Sequence, residues 1–439
     1  MTLHAPDPQY GNRQAWYLVF SLTLCNILSQ VDRFAMTLLV TPMQRDLGLN
    51  DTQTGLIGGL VTGLFYALAG LPLARLADQY NRKVLILFAL AGWSLMTMAS
   101  GLAIGFWTLC FARLFLAVGD AALGPSASSM IGNVFRPDKL SSPLSVYASA
   151  GSLGNAAASV LVAGLLFIAP FVAPPLTFGG EPMAPWRVVM IGLGLIGLLP
   201  MLTLLVAREP VRPHHEGDRP DFRAFVAYLK SHRLAYLPCY VGYALFVLPF
   251  VAMAFWAPTA FERVHGLSTT VTGAWMGIGY LVAGAPGTIF GGWLSGWLER
   301  RGHADGKLLV LLIATLASVP AVVASQLVGD PKVAMACLWL AMACAAMALG
   351  PVTAAIQVLA PDQFRAQAAV VLYLLIFIVA FMGIPITGFL TDTVFGDPKR
   401  IGHALIVLAL AFGALAVAVV WRYRRHYVAA AQAREAEQS

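Results

Sequence analysis

The chain has 439 residues, of which 59% are hydrophobic and only 11% charged, with a formal net charge of +7 and a mean hydropathy of +0.74. A soluble domain would carry roughly 25% charged residues, so the composition excludes an ordinary soluble protein and points to a polytopic helical membrane protein. A transmembrane barrel would show short alternating segments instead, and the positive balance reads as basic loops facing anionic lipid, not as a nucleic-acid surface.

Twelve apolar spans follow in chain order, near 16–42, 52–77, 84–104, 106–134, 142–168, 186–208, 234–262, 271–298, 306–328, 333–360, 365–392 and 402–427. Most exceed 20 residues, which implies tilted helices or helices that extend past the lipid. The polar opening MTLHAPDPQYGNRQ precedes an apolar run too long for a cleavable signal. Cys25, Cys110, Cys239, Cys337 and Cys344 all fall inside spans without a C-x-x-C pair. They read as small buried hydrophobes, and neither a metal nor a cofactor is expected.

Loop charge sets the orientation. With the N-terminus inside, 20 of the 28 Lys and Arg residues fall on the cytoplasmic side and 6 outside. Both termini are therefore expected in the cytoplasm, and a bacterial inner membrane is the expected location. The polar stretch 209–233 divides the chain into a six-span bundle at 1–208 and a second bundle with a tail at 234–439. Within it, Phe222, Phe225, Val226 and Leu229 recur at i, i+3, i+4, i+7 behind Asp221, a candidate N-cap. This predicts a short helix on the inner membrane surface, or else a linker that is amphipathic by chance. The halves echo each other. Ala74–Asp78 with Arg82-Lys83 answers Gly292–Gly296 with Arg300-Arg301, and Leu123-Gly124-Pro125 answers Leu349-Gly350-Pro351. Matching positions in both halves suggest parallel repeats.

The two cations outside this sorting are Arg33, beside Asp32, and Arg113, seven residues before Asp120. A charge at the membrane centre costs at least a few kcal/mol unless it is paired or faces a watery cavity. Arg113 and Asp120 are two helical turns apart and share a face, while Asp32 and Arg33 point about 100° apart. At 1.5 Å per residue Arg113 lies roughly 10 Å deep and Asp32 roughly 15 Å deep, so Asp32 and Arg113 can approach across the bundle. Asp32 is expected to be a protonation switch that pairs with Arg113 or Arg33 when ionised. Asp120 is expected as a second partner that tunes Arg113. The alternative is an ionic network that only braces the bundle. The second half offers aromatics in place of charge. Tyr236, Tyr240, Tyr243 and Phe250 form a stripe and Tyr373 joins from the eleventh span, either lining a cavity or facing lipid. Pro125, Pro249, Pro258, Pro286, Pro351 and Pro385 are candidate kinks, and Gly151 and Gly154 allow close packing in the fifth span.

These residues resemble the major facilitator superfamily, whose signature between helices 2 and 3 reads G-x-x-x-D-R-x-G-R-R. Here the stretch Ala74 to Lys83 keeps Asp78, Arg82 and Lys83 and replaces both glycines and the first Arg. The resemblance implies an all-α membrane fold of twelve transmembrane helices in two six-helix bundles with pseudo-twofold symmetry. Asp78, Arg82 and Lys83 would form its cytoplasmic gate. A narrower resemblance is to the spinster subfamily, whose eukaryotic members move sphingolipid and lysolipid cargo. Its N-x-x-D-R-[YF] motif stands here as Asp32-Arg33-Phe34 without the upstream Asn. Its R-x-x-x-G-x-G-E-A motif stands as Arg113 to Ala121, with Ala117 for one Gly and Asp120 for the Glu. The resemblance implies a proton-coupled secondary transporter, a monomer, for a lipid-like or amphipathic anion. A multidrug or organic-anion carrier of another subfamily, or a pH-independent scramblase or receptor, are the alternatives. No nucleophile constellation or Walker A motif is present, so neither an enzyme nor an ATP-driven pump is expected.

Overall fold

Hydrocarbon offers no partner to a backbone N–H, so apolar runs of this length satisfy themselves as helices. The computed structural model describes residues 11–135, 139–172, 177–178, 181–211 and 222–438, and these are almost wholly helical. They begin with α1 (Asn12–Leu47), α2 (Asp51–Gly55), α3 (Thr62–Gln79), α4 (Arg82–Gly101), α5 (Phe106–Asp120), α6 (Leu123–Val134) and α7 (Ser141–Val172). A hairpin unforeseen in the sequence, β1 (Thr177–Phe178) with β2 (Glu181–Pro182), leads into α8 (Pro185–Gly197) and α9 (Leu199–Val206). The chain continues through α10 (Phe222–Ser231), α11 (Arg233–Leu237), α12 (Tyr243–His265), α13 (Thr269–Gly279), α14 (Ala285–Arg300), α15 (Gly306–Leu327), α16 (Pro331–Leu359), α17 (Arg365–Val379), α18 (Gly383–Phe389) and α19 (Ile401–Gln438).

Among the described residues, 10 helical stretches are long and apolar enough to cross a membrane. The other two expected spans, 16–42 and 271–298, are helical but more polar: α1 carries Asp32 and Arg33, and α13 with α14 is rich in glycine. Large apolar side chains such as Phe88, Trp107, Phe167 and Ile289 stand about three-quarters exposed. A soluble surface would not tolerate so much bare hydrocarbon, and the chain is an integral, multi-pass membrane protein.

Local chemistry sets the helix ends. Gly48 closes α1 in the left-handed region at φ +64°. Asn50 and Gln53 form a reciprocal capping box that starts α2. Asn81 Oδ1 accepts from Val84 N at the start of α4. Three of the predicted kink prolines follow breaks in the helical ladder, because a proline nitrogen cannot donate to the carbonyl four residues back. Pro125 follows the break between α5 and α6, Pro286 the π turn Tyr280–Gly284, and Pro385 the 3-10 turn Ala380–Met382. Pro249 and Pro258 lie inside α12 and Pro351 inside α16.

The described residues form two compact units, one reaching to 211 and taking in Ser268–Gly277, the other covering 222–267 and everything from Ile278. In the first, Leu18, Leu22, Ile86, Leu90, Trp93 and Ile131 form a buried cluster. Gly154 brings α7 onto α1, where a Cβ would lie 2.8 Å from Ile27 O, whereas a Cβ on Gly151 would meet only Gln30 Nε2 at 3.9 Å; of the two glycines of the fifth span, Gly154 serves close packing. In the second, Gly287 and Gly291 seat α14 against the backbone of α16 at Ala343 and Met347. The expected amphipathic helix exists as α10. Its Phe225 is 1% exposed and packs 5.7 Å from the Phe364 ring, while Tyr228 Oη donates to Leu359 O at 2.8 Å. Phe225 is thus covered by the α16–α17 junction, while Val226 and Leu229 of the stripe stay half-buried. Asp221 and the Phe222 side chain lie outside the described residues.

Candidate functional site

All four charges expected in mid-membrane lie in the first unit, between α1 and α5. Arg33 Nη1 is 2.7 Å from Asp120 Oδ2, and Ser29 Oγ donates to the other oxygen, Asp120 Oδ1. Asp32 Oδ1 accepts from Thr97 Oγ1 on α4 at 2.8 Å. Asp32 Oδ2 faces Arg113 Nη1 at 3.9 Å, inside ion-pair range but beyond a hydrogen bond. Adjacent residues of α1 therefore serve partners two turns apart on α5. Their Cβ directions diverge by about 100°, and the long Arg33 side chain spans the rest.

The pairing corrects one expectation. Asp120 clasps Arg33 and forms no ion pair with Arg113, because seven residues along a helix separate the two by about 10 Å. Asp120 ends α5, where the helix dipole is negative and a carboxylate is disfavoured. Arg33 and Ser29 offset that charge. Arg113 is 2% exposed, yet besides the distant carboxylate it has only a weak contact, from Nη2 to Met190 Sδ at 3.4 Å, among the described residues. Its Nε makes no hydrogen bond among the described residues. A guanidinium has five N–H donors, so this buried cation is poorly served. The Arg33–Asp120 pair is tight and the Asp32–Arg113 pair is loose.

The expected gate residues divide. Asp78 belongs to α3, and its side chain lies outside the described residues. Arg82, 1% exposed, bonds Glu209 Oε1 at 2.9 Å, Ser129 Oγ at 2.8 Å and Pro210 O at 2.9 Å. Lys83 Nζ donates to Leu205 O and Ala207 O, each at 2.7 Å. Both basic residues staple the end of α9 to the start of α4 within one unit. In the second unit Tyr236, Tyr240, Tyr243 and Phe250 are all buried. Tyr236 stacks on Tyr240 at 5.4 Å, and Tyr240 Oη donates to Ala368 O at 2.9 Å. These four are packed into the unit instead of facing lipid, whereas Tyr373 is 49% exposed.

Sequence reasoning missed Ser29, Thr97, Ser94 and Glu209. Ser29 occupies the position of the spinster motif's absent Asn, three residues before Asp32, and that position was its one available signal. The serines and Thr97 are otherwise inconspicuous, since a hydroxyl in an apolar helix usually bonds its own helix's carbonyls.

Helical units carrying buried ion pairs in mid-span define a membrane carrier. The chain belongs to the Major Facilitator Superfamily, whose profile matches residues 22–384. It is 28% identical over 430 residues to an MFS-type efflux pump of Mycolicibacterium smegmatis, covering 96% of each chain. It is 29% identical over 254 residues to human protein spinster homolog 1, covering 56% of this chain and 46% of that one, so the match spans about half the length of that relative. Its fold is similar to that of a bacterial homologue of the human lysosomal transporter Spinster, solved in an inward-facing and unoccupied conformation. The TM-score is 0.80 at 22% identity, over 96% of this chain and 98% of that one. The chain is a major facilitator transporter, spinster-like in fold and sequence.

Proposed function

We propose that the protein is a proton-coupled secondary transporter working by alternating access between its halves, 1–208 and 234–439. Asp32 and Asp120 exchange protons, Arg33 and Arg113 supply the opposing charge, and the cargo is a lipid-like or amphipathic anion. It works as a monomer in a bacterial inner membrane with both termini in the cytoplasm. The observation that carries the reading is the unequal pair of ion pairs, Arg33–Asp120 at 2.7 Å and Asp32–Arg113 at 3.9 Å. A carboxylate whose arginine stands off can gain or lose a proton and so capture or release that arginine. Arg113, with few acceptors of its own, is then the cation free to meet an anionic head group. Asp78, Arg82 and Lys83 act at the cytoplasmic gate, and the exposed Tyr373 contacts the apolar part of the cargo.

A second reading is export of amphipathic drugs, favoured by the full-length match to an efflux pump. The test uses purified protein in liposomes under an imposed pH gradient, with a fluorescent lysophospholipid and ethidium as parallel probes. Gradient-driven movement of the lysophospholipid, abolished in Asp32→Asn, is expected. Movement of ethidium alone moves the assignment to the second reading. Full gradient-driven transport in Asp32→Asn defeats the coupling role.

A further inference from the structure

A cavity of about 10 Å³ lies beside Asp32, walled by α1, α4 and α8. Its polar lining is Asp32, Ser94 and Thr97, and Gly197 forms part of its wall on α8. Ser94 is fully buried. Neither Ser94 Oγ nor Asp32 Oδ2 has a hydrogen-bond partner among the described residues. Two orphaned polar atoms of complementary kind, a hydroxyl and a carboxylate oxygen, thus border one small space. Leaving each bare carries a desolvation penalty, larger where the group is charged. A space of about 10–15 Å³ measured this way holds a single water, provided it has two to four polar partners.

The room exists because of a glycine. A Cβ on Gly197 would fall 2.6 Å from Ser94 Oγ, and one on Gly194, a turn earlier, 2.6 Å from Ser94 O. α8 therefore lies against α4 at Ser94 with no side chain between them. Thr97 fits the same picture. Its hydroxyl has one proton and two acceptors, Asp32 Oδ1 at 2.8 Å and Trp93 O at 3.0 Å. It can donate to the carboxylate, or turn to Trp93 and accept from the acid, without moving.

We propose that this cavity is a binding site for one water molecule, held between Ser94 Oγ and Asp32 Oδ2, which hydrates Asp32 on the side that Arg113 leaves open. Resting on the reading of Asp32 as a coupling residue, the site explains how a carboxylate in a dry bundle tolerates an arginine 3.9 Å away. The water supplies the second oxygen's hydrogen bond, and the proton that Asp32 takes up is exchanged with it. The charged groups around Asp32 are Arg113 and Asp120 on α5 and Arg33 on α1; α4 contributes Thr97 and Ser94, and α8 contributes apolar side chains and Gly197.

The experiment is infrared difference spectroscopy of the full-length protein in lipid, stepped between acid and neutral pH in ordinary and ¹⁸O-labelled water. An isotope-shifted O–H band that accompanies the carboxyl band of Asp32 is expected, and it disappears in Ser94→Ala and in Gly197→Ala. Ser94→Ala removes one oxygen and keeps the packing, so it reads the site even where Gly197→Ala folds poorly. A band unchanged in Ser94→Ala, or no isotope-sensitive band in the wild type, overturns the site. Asp32→Asn separates the two ideas. If it keeps gradient-driven transport, the coupling role falls, while a wild-type water band lost in Ser94→Ala still upholds the site. If it abolishes coupling while the band ignores Ser94→Ala, the site falls and the coupling role stands.

Discussion

Breaking the Arg33–Asp120 pair from either side should cost unequal amounts. At an effective dielectric constant of about 20, unit charges about 4 Å apart attract by about 4 kcal/mol, and stranding one member of a buried pair costs about 3–5 kcal/mol. The Arg33 side chain is 24% exposed and that of Asp120 only 6%. Asp120→Asn leaves an arginine that can still reach solvent, removes a negative charge from the C-terminal end of α5, and keeps an oxygen for Ser29. We expect a loss of about 2 kcal/mol, below the usual range for a buried pair. Arg33→Gln strands the better-buried carboxylate at the negative end of a helix dipole, which adds about 0.5 kcal/mol; about 3–4 kcal/mol is expected. The double variant should lose less than the sum of the singles by about 2 kcal/mol. SDS-induced unfolding followed by tryptophan fluorescence measures all four proteins. Additive losses, or a larger loss in Asp120→Asn than in Arg33→Gln, would refute the argument.

Three other outcomes follow from the packing. Arg82→Ala should destabilise by about 3 kcal/mol, because it empties a buried site, removes the cation that faces Glu209 and orphans Pro210 O. Glu209→Gln, on a side chain 21% exposed, should cost about 1 kcal/mol, and faster tryptic cleavage at Arg208 reports both. Gly291→Ala drives a methyl into the Met347 carbonyl and should cost about 2–3 kcal/mol. Gly292→Ala has nothing within 4 Å and should gain up to about 1 kcal/mol from helix propensity; thermal unfolding in detergent orders the two. Phe225→Ala should release α10 at a cost of about 3 kcal/mol, seen as faster amide exchange across 222–231 with α12 unaffected.

What the sequence carries about the site follows from which features are energetically loud. Asp32, Arg33, Arg113 and Asp120 announce themselves because a charge in an apolar run must be paired or wet. Their partners do not, because pairing depends on how α1 and α5 are turned against each other. That rests on contacts between residues distant in the chain, such as the approach of Gly119 on α5 to Ala89 O on α4, 3.2 Å from a notional Cβ, which no local pattern encodes. The neutral hydroxyls are quieter still, and they distinguish the two carboxylates. Asp120 is held by Arg33 on one oxygen and Ser29 on the other. A proton added there weakens the hold on one of those partners, since it removes the charge that both of them face. Asp32 has one oxygen on Thr97 and the other facing only a distant arginine and a small cavity. A proton arriving at that oxygen breaks no hydrogen bond, and Thr97 can reverse its donor role without rotating the carboxyl. Of the two acids, Asp32 can therefore change charge with the smaller rearrangement, while a proton exchanged at Asp120 must loosen its hold on Arg33 or Ser29. A pH titration of the Asp32 carboxyl band would show this as a single transition that persists in Asp120→Asn and is lost in Asp32→Asn.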